Sequence, residues 1–112
     1  MQKLVDLDYD AAMALVVGLP DTDELIAMAR YDVDPATRLA DIAFVVRDDW
    51  QRRGVGTLLL RRMTEIARAR GLAGFTAQVL ATNKPMLMLL YQSGLKLRTT
   101  TDAGIHQVIA HF

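Results

Sequence analysis

The stretch that decides the fold of this chain is Gln51-Arg52-Arg53-Gly54-Val55-Gly56-Thr57. It lies between an apolar run that ends at Val46 and a segment with helical spacing that begins at Val55, so we predict a strand, a glycine loop and a helix. Backbone N–H groups in the first turn of a helix lack intrahelical partners, and the helix dipole adds partial positive charge there. Glycines let a ligand approach those groups, and arginines add phosphate-binding cations. The stretch therefore predicts a pyrophosphate site.

Two better-known phosphate loops do not fit this stretch. Position 59 is Leu, where a dinucleotide-binding fingerprint needs Gly, and the sequence contains no Gly-Lys-Ser/Thr. The residues leave one plainer alternative open, an interaction protein in which the glycine loop is only a junction and the arginines are solvated.

The composition predicts one globular domain over residues 1–112, in the cytoplasm. Hydrophobic residues make up 52% of the chain, which is enough for a sheet covered on both faces. No apolar run is long enough to span a membrane, and the N-terminus does not resemble a signal peptide. The absence of Cys excludes disulfides and thiolate catalysis.

The charges are unevenly distributed although they sum to zero. Residues 1–46 carry three basic and nine acidic side chains, whereas residues 47–70 carry seven arginines and three acids. An anionic ligand would be drawn to the middle of the chain and a cationic ligand to its first part. The arginine-rich helix face has no aromatic surface beside it, so we predict no nucleic-acid partner.

The pattern of apolar residues and turn residues predicts the order β-β-β-α-β-α-β-β. An amphipathic stripe predicts the first helix, and Gly71 ends it. Thr82, Asn83 and Pro85 mark the start of the second helix. The predicted strands are 10–19, 24–31, 39–47, 75–80, 95–100 and 105–111, and the predicted helices are 55–70 and 86–93.

The sequence resembles the GNAT superfamily of acetyl-CoA-dependent N-acetyltransferases over roughly residues 9–112. Gln51, Gly54 and Gly56 match the family's Q/R-x-x-G-x-G/A motif. Its context matches as well, because a strand ends shortly before Gln51 and an N-x-P-M…Y-x-x-G-L segment follows Thr82. The resemblance is strongest to bacterial protein-lysine acetyltransferases. It implies an α/β (α+β) fold with a mixed, mostly antiparallel sheet, whose central parallel pair is splayed around the cofactor.

The resemblance implies that acetyl-CoA is the cosubstrate and that it binds along one strand end and the glycine loop. The backbone of Phe44, Val45 and Val46 would bind the pantetheine arm, with the Val46 N–H facing the thioester carbonyl. The remaining cofactor-binding residues implied are Gln51, Arg52, Arg53, Gly54, Val55, Gly56, Thr57 and Asn83.

Two residues are candidates for acid–base catalysis. Asp41 lies ten residues before Gln51, at the position where many GNAT enzymes carry a Glu that acts as general base. Tyr91 is the candidate acid for the leaving thiolate, but it precedes Gly94 by three residues where the family pattern has four. One residue corresponds to about 100° of helix rotation, so packing is at least as good an explanation. His106 and His111 lack metal-ligand spacing, and we predict no metal site.

We therefore predict an N-acetyltransferase that passes acetyl directly to a primary amine, either a protein lysine or a small molecule. The alternative is a CoA-binding or acyl-CoA-binding module without turnover. The family usually places a strand and two helices before the predicted first strand, and here these helices are missing, with residues 1–8 at most a remnant of the strand. We expect a second subunit to cover the apolar sheet face exposed in this way.

Overall fold

A computed structural model of the chain describes residues 3–8, 12–51 and 53–112. It contains seven strands, two α-helices and one turn of 3-10 helix within those residues. The strands are β1 (Lys3–Asp8), β2 (Ala12–Gly18), β3 (Leu25–Asp34), β4 (Leu39–Val46), β5 (Gly74–Leu80), β6 (Lys96–Asp102) and β7 (Ile105–His111). The helices are α1 (Val55–Ala69) and α2 (Lys84–Tyr91), and the 3-10 turn is Asp48–Trp50.

The described strands form a single mixed sheet in the order β1-β2-β3-β4-β5-β7-β6. Only β4 and β5 are parallel, and every other neighbouring pair is antiparallel. The predicted order of elements is therefore confirmed, with β1 added in front of it. Among the described residues, no helix has the length and apolar character needed to cross a membrane.

Helix α1 forms because its apolar residues recur on one stripe, which packs against β3 and β4. The buried members of that stripe are Val55, Leu59, Leu60, Met63 and Ala67. The helix ends where predicted, since Gly71 adopts a left-handed φ of 76°. The Arg38 guanidinium, from the turn between β3 and β4, donates to the Gly71 carbonyl at 3.1 Å and to the Arg70 carbonyl at 3.3 Å.

The two faces of the sheet differ. The helices cover one face, where the rings of Tyr31, Phe75 and Phe112 pack in sequence, with centroids 6.3 Å and 4.9 Å apart. The opposite face, which we call the open face, carries a row formed by Val16, Met28 and Val45 on three neighbouring strands. Met28 and Val45 are 39% and 61% exposed.

Several predicted bounds need correction. Strand β3 continues to Asp34, beyond the predicted end at Tyr31, because it stays paired with β4 throughout. Helix α2 begins at Lys84, two residues before the prediction, since the Asn83 side chain caps it. Strand β6 extends to Asp102, because the hairpin turn needs only the two residues that follow it, both with positive φ. Positions 10 and 11 of the predicted first strand lie outside the described residues.

The start of the chain bears on the predicted loss of two helices. Strand β1 pairs with β2 along its whole length, so residues 3–8 form a complete first strand of the sheet. Only positions 9–11 separate β1 from β2 along the chain, at the place where the resemblance expects the two helices.

Candidate functional site

The site begins where the two parallel strands in the middle of the sheet part. Strands β4 and β5 are paired only over Leu39–Asp41 and Gly74–Thr76. By contrast, β4 stays paired with β3 as far as Val46, and β5 stays paired with β7 as far as Leu80. Within the described part of the chain, the facing edges of β4 and β5 beyond these three pairs have no strand partner. The predicted splay of the central parallel pair is confirmed.

The direction of the β4 peptide groups shows which of them face this opening. The N–H of Arg47, just after β4, donates to the Ile26 carbonyl on the β3 side at 2.8 Å. Peptide groups alternate in direction along a strand, so those of Val46 and Phe44 point into the opening. The peptide groups of Val45 point back to β3, and this residue offers no free amide to a ligand.

Gln51 fixes one of these groups. Its side-chain amide donates to the Val46 carbonyl at 3.1 Å and to Asp48 Oδ1 at 3.3 Å, which ties the glycine loop to the end of β4. The Val46 carbonyl is thereby occupied, whereas the Val46 N–H remains available as a donor at the mouth of the opening. This contact gives the Gln of the motif a structural role that the sequence does not indicate.

A charged pair holds the same junction. Arg47 Nε and Nη2 donate to the two carboxylate oxygens of Asp49 at 2.7 and 2.9 Å, and Arg47 Nη1 lies 3.7 Å from Glu24 Oε2. The hydrogen bond from Arg47 lowers the pKa of Asp49 below its ordinary value, and the same hydrogen bond raises the pKa of Arg47. Both side chains are solvent-exposed in part, so the pair orients the 3-10 turn more than it stabilises the fold.

The head of α1 presents unpaired donors. Gly54 caps the helix with a left-handed φ of 82° and no side-chain cap, a conformation that favours glycine. The first intrahelical bond runs from the Leu58 N–H to the Gly54 carbonyl at 3.0 Å. The N–H groups of Val55, Gly56 and Thr57 accordingly have no acceptor among the described residues. The pyrophosphate site predicted at this loop therefore has free amides to offer.

The opening and the head of α1 share one cleft with a volume of about 500 Å³. Seven of the predicted cofactor-binding residues line it, namely Phe44, Val46, Gln51, Gly54, Gly56, Thr57 and Asn83. The other lining residues are Trp50, Lys84, Pro85, Met86, Met88, Leu89 and Gln92. The cleft therefore combines an apolar wall with polar groups at two helix starts.

Helix α2 closes the cleft opposite α1. The Asn83 side chain accepts a hydrogen bond from the Met86 N–H at 3.3 Å, which confirms its predicted role as a helix cap. Lys84 occupies the first helical position, where a cation opposes the helix dipole. None of the described residues that line the cleft is Asp or Glu, so both helix starts and the ammonium favour an anion here.

The predicted arginines differ in what the structure says of them. The Arg53 guanidinium lies over the Trp50 ring, 5.0 Å from its centroid, at the rim of the cleft instead of in its lining. Arg52 lies outside the described residues. Val55 is 2% exposed, so its side chain belongs to the core and only its N–H faces the loop.

Asp41 lies at the vertex of the opening, at the last residue pair that joins β4 to β5. Its side chain is exposed on the open face, and its Oδ1 accepts a hydrogen bond from Thr76 Oγ1 at 3.2 Å. Phe44 follows three residues later, which corresponds to about 10 Å along a strand. One bridging water cannot span that distance, so a proton would have to reach Asp41 through a chain of waters.

Tyr91 is not brought to the cleft. Its side chain is 63% exposed, and it is absent from the cleft lining. The preceding residue, Leu90, is 2% exposed and belongs to the core. The offset by one position predicted from the sequence is thus visible in the structure, and the position of Tyr91 gives the predicted acid role no support.

The sequence reasoning missed four lining residues that matter for binding. Trp50, Lys84, Leu89 and Gln92 were not assigned to the site, although all of them line the cleft. A Lys at the first position of a helix was the available signal, because it breaks the preference for acids there. Leu89 and Gln92 reach the cleft because α2 packs beside the first turn of α1, and Trp50 reaches it from the 3-10 turn.

With this geometry established, comparison with known proteins identifies the family. A model of the acetyltransferase (GNAT) family matches residues 2–94. The chain belongs to the GNAT family. The predicted resemblance is therefore confirmed, and the glycine loop, the splayed strands and α2 of this GNAT domain lie within the matched residues.

Relatives and solved structures agree with this assignment. An acetyltransferase of Pseudomonas aeruginosa is 27% identical over 88 residues, covering 77% of this chain and 47% of the relative. The acetyltransferase Pat of Mycolicibacterium smegmatis is 31% identical over 96 residues, covering 84% of this chain and 28% of the relative. The crystal structure of the GNAT domain of S. lividans PAT superposes with a TM-score of 0.80 at 29% identity, covering 95% of this chain and 64% of that one. This GNAT chain thus spans about half or less of the curated relatives.

Proposed function

We propose that this domain binds acetyl-CoA in the cleft between α1 and α2 and transfers the acetyl group to a primary amine. The observation that carries the proposal is that the N–H groups of Val55, Gly56 and Thr57 have no acceptor in the described structure, beside a cleft whose described lining contains no carboxylate. A diphosphate is the natural ligand of such amides. Because the chain belongs to the GNAT family, acetyl-CoA is the diphosphate ligand that we propose.

The chain's own residues have distinct tasks in this proposal. Acetyl-CoA supplies a thioester whose carbonyl carbon forms a bond to the amine nitrogen as the bond to sulfur breaks. The Val46 N–H, which points into the opening where β4 and β5 are no longer paired, donates to the carbonyl oxygen as negative charge develops there. The outward peptide groups of Phe44 hold the pantetheine arm in the manner of an added strand.

We assign proton removal from the attacking amine to Asp41, acting through a chain of waters. Its position at the vertex of the opening and its hydrogen bond to Thr76 support this role. Asp41→Asn should lower turnover by about a hundredfold or more while leaving the affinity for CoA unchanged. Asp41→Glu is the matched control and should retain activity, since the longer side chain shortens the path. Equal turnover in Asp41→Asn and the unmodified protein would remove Asp41 from the mechanism.

The proton that the thiolate needs can come from solvent or from Tyr91. Tyr91→Phe separates these two sources. We expect the phenylalanine variant to keep its turnover, because the side chain lies outside the cleft lining. A loss of tenfold or more with unchanged CoA affinity would instead assign the acid role to Tyr91.

The central experiment measures ligand-dependent stability and thiol release together. At a hundredfold excess over Kd, CoA should stabilise the domain by about 2.7 kcal/mol, which corresponds to roughly 10 °C in Tm for a domain of this size. Acetyl-CoA offered with an amine should also release free thiol. Absence of stabilisation by both ligands would overturn the proposal and favour an interaction protein.

The second candidate is a CoA-binding or acyl-CoA-binding module without turnover. Two observations favour it. Tyr91 stands outside the cleft lining, and only three positions separate β1 from β2, where the family usually has two helices. This module would be stabilised by CoA but would release no thiol with any amine.

For the acceptor we propose a primary amine, with protein lysine preferred because of the likeness to Pat. Asp32 and Asp41 face each other across β3 and β4 on the open face, which suits a cationic acceptor approaching from that side. A panel of lysine peptides, polyamines and amino sugars at equal concentration tests this preference. Faster thiol release with a small amine than with lysine peptides would contradict it.

We further propose a homodimer, in the cytoplasm, that covers the part of the open face formed by Val16, Met28 and Val45 and leaves Asp32 and Asp41 accessible to the acceptor. The row of Val16, Met28 and Val45 supports it, because Met28 and Val45 are exposed, Val16 is half-buried, and apolar side chains on three adjacent strands favour coverage. Val45→Lys should then lower the average mass measured by light scattering, because it removes pairing across this face. A monomer at every accessible concentration would refute this interface.

A further inference from the structure

Strand β6 forms one edge of the sheet, and its outer side is uncovered. It pairs with β7 along its whole length from Lys96 to Asp102, and no other described strand neighbours it. Six of its residues are exposed and Leu97 is partly so. An edge of this length with no bulge or covering element is a template for pairing with another strand.

The hydrogen bonding of β7 shows which peptide groups of β6 point outward. The Phe112 N–H donates to the Ala73 carbonyl on the β5 side, so alternate residues of β7 face β5 and those between them, including Ile109, face β6. Ile109 is opposite Arg98. Hence Arg98 and every second residue from it bond to β7. The outward N–H and carbonyl groups belong to Leu97, Thr99 and Thr101.

We propose that β6 is a self-association strand, and that two copies of this chain pair β6 with β6 in antiparallel orientation, centred on Thr99. In this register Thr99 faces its own copy and Leu97 faces Thr101 of the partner. These are the residues with outward peptide groups, so the free N–H and carbonyl groups of each copy can bond to those of the other. Lys96 then lies opposite Asp102 of the partner, and this ion pair occurs twice because the arrangement has a two-fold axis.

The charges of β6 favour this arrangement over its competitors. A parallel pairing in register would place Lys96 beside Lys96 and Arg98 beside Arg98, and like charges directly opposite destabilise a sheet. An antiparallel register centred on Arg98 would set two guanidiniums against each other. The register centred on Thr99 avoids both clashes and uses the full strand. It also puts Lys96 and Asp102 in the closely spaced class of cross-strand pairs, where side chains interact most.

This interface is independent of the cleft and of the open face. Strands β7 and β5 separate β6 from the opening beside β4. Pairing at the edge therefore extends the sheet and leaves the cleft of each copy accessible. The threonine side chains do not obstruct the edge. Thr101 Oγ1, for example, lies 2.7 Å from His106 Nδ1 within the same chain.

A charge-swap experiment tests the proposal. In the Val45→Lys background, which removes pairing across the open face, sedimentation from about 1 µM to about 1 mM should show the mass rising from 12.4 kDa towards twice that value. Asp102→Lys and Lys96→Asp should each weaken dimerisation by about tenfold or more, and the double variant K96D/D102K should restore it. Val45→Lys, on the open face, should leave this pairing unchanged.

Amide exchange identifies the interface directly. As concentration rises, the N–H groups of Leu97, Thr99 and Thr101 should become protected, whereas the Val46 N–H should not. A chain that stays monomeric, a dimer unaffected by Asp102→Lys, or a dimer without protection at Thr99 would each overturn the proposal. Failure of the double variant to dimerise would also overturn it, provided that its circular dichroism matches the unmodified protein.

Discussion

Replacing Thr57 by proline should remove one ligand contact without removing a helix hydrogen bond. The Thr57 N–H has no acceptor in the described structure, and the first intrahelical bond belongs to Leu58. Proline is tolerated in the first helical turn for that reason. The preceding residue is Gly56, which has no Cβ to clash with the proline ring. We therefore expect unfolding free energy to change little.

The effect on binding follows from the loss of a single charge-assisted hydrogen bond. Such a bond to a phosphate contributes about 1.5–3 kcal/mol, so the Kd for CoA should rise by about 10- to 150-fold. Titration calorimetry with CoA measures this change, and urea denaturation without ligand measures stability. Thr57→Ala is the matched control, because it removes the same hydroxyl and keeps the N–H.

The comparison between the two variants decides the matter. Equal CoA affinity in Thr57→Pro and Thr57→Ala would show that this amide is not a phosphate ligand. The assignment of the α1 head as the diphosphate site would then fail, whatever the activity of the protein. If Thr57→Pro binds CoA more weakly, the urea curve measured without ligand shows whether lost stability, instead of the lost hydrogen bond, is the cause.

Three further outcomes are expected. Lys84→Gln should weaken CoA binding by about tenfold but leave the affinity for acetyl-pantetheine unchanged, because only the former carries phosphates for the ammonium to contact; calorimetry with both ligands tests this. Arg38→Ala should lower the free energy of unfolding by about 1–2 kcal/mol, since the carbonyls of Gly71 and Arg70 lose their donor, and urea denaturation measures it. The Asp49 carboxyl should titrate below the ordinary Asp value of 3.8 by NMR and return towards it in Arg47→Met. The stabilisation from this lowered pKa is present above the unfolded-state pKa and is lost as pH falls through the folded-state pKa, so the two proteins should differ in stability at neutral pH and converge in strong acid.

Local sequence signals sufficed for α1 and for the loop before it. The apolar stripe from Val55 predicts the helix, and the two glycines predict a loop before it; the structure has both, with Gly54 in a left-handed conformation. The offset of Tyr91 was also predictable, because helix geometry fixes the rotation between neighbouring residues. These are properties that neighbouring residues in the chain determine by themselves.

Other features depend on contacts between distant segments, which the spacing of residues in the sequence does not predict. The hydrogen bond from Gln51 to the Val46 carbonyl requires the loop to fold back on the strand. The stacking of Arg53 on Trp50 and the place of Gln92 in the cleft likewise depend on packing. The inward or outward direction of Val45 depends on strand register, which only the pairing with β3 sets.

The brief ladder between β4 and β5 has a mechanical consequence. In the described structure, β4 and β5 are paired over three residue pairs, so the strand ladder that joins the two halves of the sheet is short. A ligand bound along the edge of β4 at Phe44 and Val46 would bridge the two halves of the sheet. Ligand binding is therefore expected to make the centre of the sheet more rigid.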